Sequence, residues 1–225
     1  MKKLATMAAL LLAVASVATT ATGVPQRNAN YEVTIYNLTL DQPFSPPVLA
    51  THTADARIFA AGSVAGDALR MMAEDGETAA LQTELGENAH VASIVVAGGP
   101  IPPGGSASFE VTARGKFDRL SAVGMLVNTN DAFFGLDGYD IDFKLARSRT
   151  GAVVLVPAYD AGTERNSELC GFIPGPACGA HGVRDTLGSE GFVHVHRGIH
   201  GIGNLAADQY DWRNPVAKIV IRKLR

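Results

Sequence analysis

Tyr31-Glu-Val-Thr-Ile-Tyr-Asn-Leu-Thr-Leu40 is the stretch from which the fold is read. Polar and apolar residues alternate along it and β-branched side chains recur, so one face packs while the other meets water. This predicts a first strand, broken by Phe44-Ser-Pro-Pro47. Working outward, strand signals return at Val91–Ala97, Ser106–Ala113, Ser121–Asn128, Val153–Tyr159, Phe192–Val195 and Val216–Leu224. Turns rich in Gly and Pro, such as Gly98-Gly-Pro-Ile-Pro-Pro-Gly-Gly105, separate several of them. Many short strands punctuated in this way predict a mainly β chain, an antiparallel sandwich or barrel, with first and last strands as neighbours. Between them, Ser63–Asp75 reads as a helix capped by Ser63 and ended by Gly76, and Thr78–Leu85 as a second helical turn or two.

The chain has 225 residues, of which 47% are hydrophobic and 18% charged, with 24 Gly and 11 Pro. That balance excludes a disordered chain. A formal charge of −3, with no basic face, excludes a protein that lives on nucleic-acid phosphates. Lys2 and Lys3 precede the apolar run Leu4–Val17, and small residues follow to Gly23. This predicts a signal peptide over residues 1–23, cleaved between Ala18 and Gly23. The run is shorter than the roughly twenty residues that span a bilayer. Residues 24–225 then form a single domain, whose formal charge drops from −3 to −5 because the leader takes two Lys and no acid. Export to the periplasm or beyond makes Cys170 and Cys178 one disulfide rather than a thiolate pair.

Two constellations carry possible chemistry. The first is acidic. Asp131 follows an apolar strand, and Val153–Tyr159 leads into Asp160-Ala-Gly-Thr-Glu164. Carboxylates from two such loops would converge at one end of a sandwich, where oxygen ligands suit Ca²⁺. Solvated turn acids are the plainer alternative. The second is Phe192-Val-His194-Val-His196-Arg-Gly-Ile-His200-Gly201. His194 and His196 share a face if the segment is extended, and His200 can return through the Gly198 turn. Three such imidazoles bind Zn²⁺ or Cu²⁺, with Asp185, Glu190 or Asp208 available to complete a site, which would suit a metal-dependent hydrolase or oxidase. Alternatively the histidines pin the Gly-rich loop Gly198–Asn204. The Asp211-Trp-Arg-Asn-Pro215 stretch, with the lone Trp, reads as a packed corner, and Met71-Met72 as core.

Phe44-Ser-Pro46, His52, Ala73-Glu74-Asp-Gly76, Gly124-Met-Leu-Val-Asn-Thr-Asn-Asp-Ala-Phe-Phe-Gly135, Tyr159-Asp-Ala-Gly-Thr-Glu164 and Ala217-Lys-Ile-Val-Ile-Arg222 occur in that order. On these the chain resembles the spondin domain, the N-terminal module of F-spondin, in a compact bacterial form. The resemblance implies a β-sandwich similar to calcium- and lipid-binding sandwiches, with one Ca²⁺ held by Asp131, Asp160 and Glu164. The last is Asp in the animal module. The His segment has no counterpart in that module. A non-enzymatic role in adhesion or recognition, toward an extracellular protein or polysaccharide, follows as the expectation. A lipid surface is a weaker partner, since the only basic cluster is Arg222-Lys-Leu-Arg225.

Overall fold

The computed structural model describes residues 28–145, 148 and 150–224. The predicted signal segment lies outside the described residues. Strand β1 (Asn28–Asn37) is the heart of a four-stranded sheet. Its alternation works as expected, with Tyr31, Val33 and Ile35 fully buried. To its sides lie β4 (Ser106–Arg114) and β10 (Ala217–Lys223), and β7 (Ala152–Val156) completes the order β4-β1-β10-β7. First and last strands are antiparallel neighbours, with Ile35 opposite Ile219.

The second sheet has six strands, in the order β3 (Val91–Val96), β2 (Val48–His52), β5 (Arg119–Met125), β6 (Ala132–Asp140), β8 (Ala158–Asp160) and β9 (His194–Val195). All its neighbours are antiparallel. Between the sheets Leu49, Leu120, Ala122 and Phe134 pack on Tyr31, Val33, Ile219 and Ile221. Behind the six-stranded sheet, Val48, Ala50, Val123 and Phe133 pack on helices α1 (Asp67–Asp75) and α2 (Ala79–Glu87) through Leu69, Met72, Leu81 and Leu85. The architecture is the predicted antiparallel sandwich with two short helices. Two single helical turns, α3 (Ile141–Leu145) and α4 (Ala207–Tyr210), are added to it.

Three expectations are corrected. Val153–Tyr159 is two strands in different sheets, because Pro157 lacks the N–H a continuing ladder needs and the chain crosses over there. Residues 132–138, absent from the strand signals of the sequence, open strand β6. Helix α1 begins at Asp67, not Ser63, and its N-cap Gly66 has no side-chain bond. The Ser63 carbonyl is instead committed to Val193 N at 2.8 Å. At the other end Gly76 closes the helix as expected, in the left-handed region at φ 70°.

Cys170 and Cys178 are bonded, with S–S 2.04 Å. Closing a loop this short stabilises by roughly 2–3 kcal/mol in the chain-entropy model. Reduction is expected to lower unfolding stability by that amount in urea titrations. An unchanged midpoint with reductant present would count against it.

Candidate metal centre

Strands β6 and β8 pair with Ala132 opposite Asp160, so Asp131 and Asp160 come to the same end of adjacent strands. The long excursion after β8 folds back over that end, and Asp131, Asp160 and Glu164 are all fully buried. The acidic loop winds around Asp131. Its Oδ2 accepts from Thr163 N at 2.8 Å, Glu164 N at 3.0 Å and Thr163 Oγ1 at 3.2 Å. Asp160 Oδ1 accepts from Gly162 N at 2.7 Å, the local bond that makes an Asx-type turn. Asp160 Oδ2 accepts from Asn166 Nδ2 at 2.5 Å. Glu164 Oε1 accepts from Asp185 N at 2.9 Å.

Two oxygens are left over. Asp131 Oδ1 and Glu164 Oε2 are buried and have no hydrogen-bond donor among the described residues. Buried carboxylates without a cation resist ionisation. Burial, then the neighbouring Asp160, pushes Asp131 well above the usual carboxylate range. Burial likewise raises Asp160, and pushes Glu164 up to about 8.

Glu74, on α1, adds a further buried acid. Its Oε2 accepts from Arg70 Nη1 at 2.9 Å and pairs with Arg184 Nε at 2.5 Å, while Oε1 has no donor. Arg184 also pairs with Asp75, and Gly182 N donates to Asp75 Oδ1 at 3.1 Å. These bonds seat residues 182–185 on the helix, and that places Asp185 N over Glu164. The sequence reading missed Arg184 because its partner Asp75 is 109 residues away and no local pattern links them.

The histidines separate. His196 is buried, and both ring nitrogens are used: Nδ1 accepts from Gly198 N at 3.0 Å and Nε2 donates to Asn166 Oδ1 at 2.8 Å. It rests on Trp212 with ring centroids 5.0 Å apart, so the predicted corner is a packed one. Burial, then His194, lowers its pKa to about 3. His200 is exposed. The Gly-rich loop is held chiefly by Glu168, whose Oε1 accepts from His200 N at 2.6 Å and Oε2 from Ile202 N at 2.8 Å. Among the described residues, the three ligating side chains whose donor atoms lie within 4.8 Å of one another are Asp160, Glu190 and His194. Asp131, Glu164, His196 and His200 lie outside that set.

The family profile described as Spondin_N matches residues 33–168. The chain belongs to the spondin N-terminal domain family. No curated protein matches the sequence. The matched range of the spondin domain takes in Asp131, Asp160 and Glu164 and ends at Glu168. The disulfide, Glu190 and the three histidines follow it. No helix among the described residues of this spondin domain is long and apolar enough to cross a membrane.

Proposed function

We propose that this spondin domain is an exported, calcium-binding module that acts without catalysis in adhesion or recognition at a cell surface or matrix. The supporting observation is the pair of orphaned oxygens, Asp131 Oδ1 and Glu164 Oε2, inside a fully buried acidic cluster. None of the three carboxylates accepts a hydrogen bond from an Arg or Lys side chain among the described residues. Carboxylate oxygens suit a hard divalent cation, which takes them in flexible geometry; the three side chains do not all bring an oxygen within 4.8 Å of one another, so they would have to close on the ion. Asp131, Asp160 and Glu164 would hold it. The ion would supply charge compensation and tie the turn before β6 to the loop after β8. The partner is an extracellular protein or polysaccharide.

The non-enzymatic part of the reading has its own support. Ser121 Oγ lies 2.7 Å from His52 Nε2, the contact a serine hydrolase uses. Both side chains are buried in the six-stranded sheet, and Gly138 N donates to the same oxygen at 2.9 Å. The hydroxyl itself is fully buried and lies behind, not in, the cavity lined by His52, Arg57, Asp137 and Gly138.

Calcium at about a hundred times its Kd stabilises a folded protein by roughly 2.7 kcal/mol. For a domain of this size that is a rise in Tm of about 5–10 °C. The expected result is such a rise, over chelator, in the wild type and its loss in Asp131→Asn. Equal melting temperatures with calcium and with chelator would sink the calcium reading.

A further inference from the structure

We propose a second metal site in this chain, in which Asp160, Glu190 and His194 bind a transition-metal dication of the Zn²⁺ class. It shares Asp160 with the calcium reading but does not rest on it.

Three observations carry the site. The donor atoms of these residues lie within 4.8 Å of one another, although they come from the end of β8, the loop before β9 and β9 itself. His194 Nδ1 faces Val195 O at 3.1 Å, so that nitrogen carries the proton and donates it to the carbonyl. In the neutral ring this leaves the lone pair on Nε2. It is buried, has no hydrogen-bond partner among the described residues, and points at Asp160 Oδ2 across 3.7 Å. Two acceptor atoms aimed at each other repel unless a proton or a metal cation lies between them, and the test below separates the two. Donors on one tetrahedral Zn²⁺, at bond lengths near 2.1 Å, stand ~3.4 Å apart. The observed spacing is close to that.

The surroundings match what metal ligands need. Asn166 Nδ2 donates to both carboxylates, to Asp160 Oδ2 at 2.5 Å and Glu190 Oε1 at 3.3 Å, and so sets their mutual orientation. Its amide is held in turn by the bond from His196 Nε2 to Asn166 Oδ1. His196, which the sequence offers as a ligand, therefore acts as support behind the ligands. Nitrogen in the set argues for zinc-class chemistry over calcium, which prefers six to eight oxygens. Glu190 is exposed, so the site borders solvent and an ion can reach it.

The test uses the mature chain purified without a polyhistidine tag, stripped with chelator and titrated with ZnCl₂ in saturating calcium by calorimetry. The expected result is one Zn²⁺ per wild-type chain. Affinity should fall by at least about tenfold in His194→Ala and in Glu190→Ala, since losing even an outer-shell partner costs that much. Glu190→Ala guards against misfolding, because its side chain is exposed; the melting curve of each metal-free variant reports its folding. The calcium-induced rise in Tm should persist in Glu190→Ala, which separates failure of this site from failure of the calcium reading. No zinc binding by the wild type, or wild-type affinity in both folded variants, overturns the proposal. So does a loss of stability in His194→Ala with no zinc binding in either protein, because His194 is then only an ion-pair partner of Asp160.

Discussion

In chelator, the folded chain is expected to lose stability as the pH rises from about 6.5 to about 8, and calcium is expected to flatten that loss. Glu164 has an ordinary value of 4.5 and is pushed up to about 8 by burial in the folded chain. Between those values the folded form keeps a proton that the unfolded form has released. Stability falls with rising pH wherever the native state binds more protons. Asp131, also raised by burial and by Asp160, acts in the same direction. His196 opposes them at lower pH. Burial drops it from 6.5 to about 3, so below 6.5 the unfolded chain binds a proton that the folded chain refuses. The carboxylate slope is therefore unopposed by His196 only above about 6.5. Each group contributes about 1.4 kcal/mol per pH unit. Glu164 alone gives about 2 kcal/mol across the window, and Asp131 adds to it in the same direction. A bound cation replaces the protons and removes the slope. Urea titrations at half-unit steps of pH, with chelator and with calcium, read this directly. A flat profile in chelator, or an unchanged slope in Glu164→Gln, contradicts the assignment.

What could be read from the sequence follows from which faces are wet. Strand β1 was legible because Tyr31, Val33 and Ile35 turn inward at a spacing of two and polar residues lie between them. Strand β2 was not, because Val48–His52 is buried throughout, between the core and the two helices. A strand covered on both faces loses its period of two. Strand β6 was hidden by its glycines, which look like turn residues. Gly135 is there because the Phe59 ring closes on the backbone, where a Cβ would meet Cζ at 2.6 Å. The acids of Asp160-Ala-Gly-Thr-Glu164 stood out, being close in sequence. Glu168 did not, although it holds the loop at His200 and Ile202, because its bonds go to backbone N–H groups more than thirty residues on. The histidine spacing showed three imidazoles on one segment. Spacing has no means of showing that His196 has spent both ring nitrogens on Gly198 and Asn166.

Gly162→Ala is expected to cost about 3 kcal/mol or more, a drop in Tm of at least about 6 °C. Gly162 sits at φ 69°, where an L-residue pays roughly 1–2 kcal/mol. Its added Cβ would also lie 2.3 Å from Phe192 O and 2.6 Å from Phe192 N. Both atoms are backbone, so no rotamer change relieves the clash and the two segments must part. Parting them breaks the Gly191 N to Gly162 O bond of 2.8 Å, worth about 1 kcal/mol. It also pulls on Gly162 N, which donates to Asp160 Oδ1. Glu190 and His194 flank the displaced strand segment, and Thr163 and Glu164 flank the displaced turn. One methyl group should therefore weaken the calcium response and zinc affinity together, which none of the ligand substitutions outside Asp160 does. Gly138→Ala supplies the comparison. Gly138 has φ 60° with nothing within 4 Å of the added Cβ, so it carries the conformational cost alone. The difference between the two variants measures how tightly the acidic turn is closed against residues 191–194. Equal losses would mean that Phe192 yields freely, and that the approach of these two segments does not hold Asp160 in place.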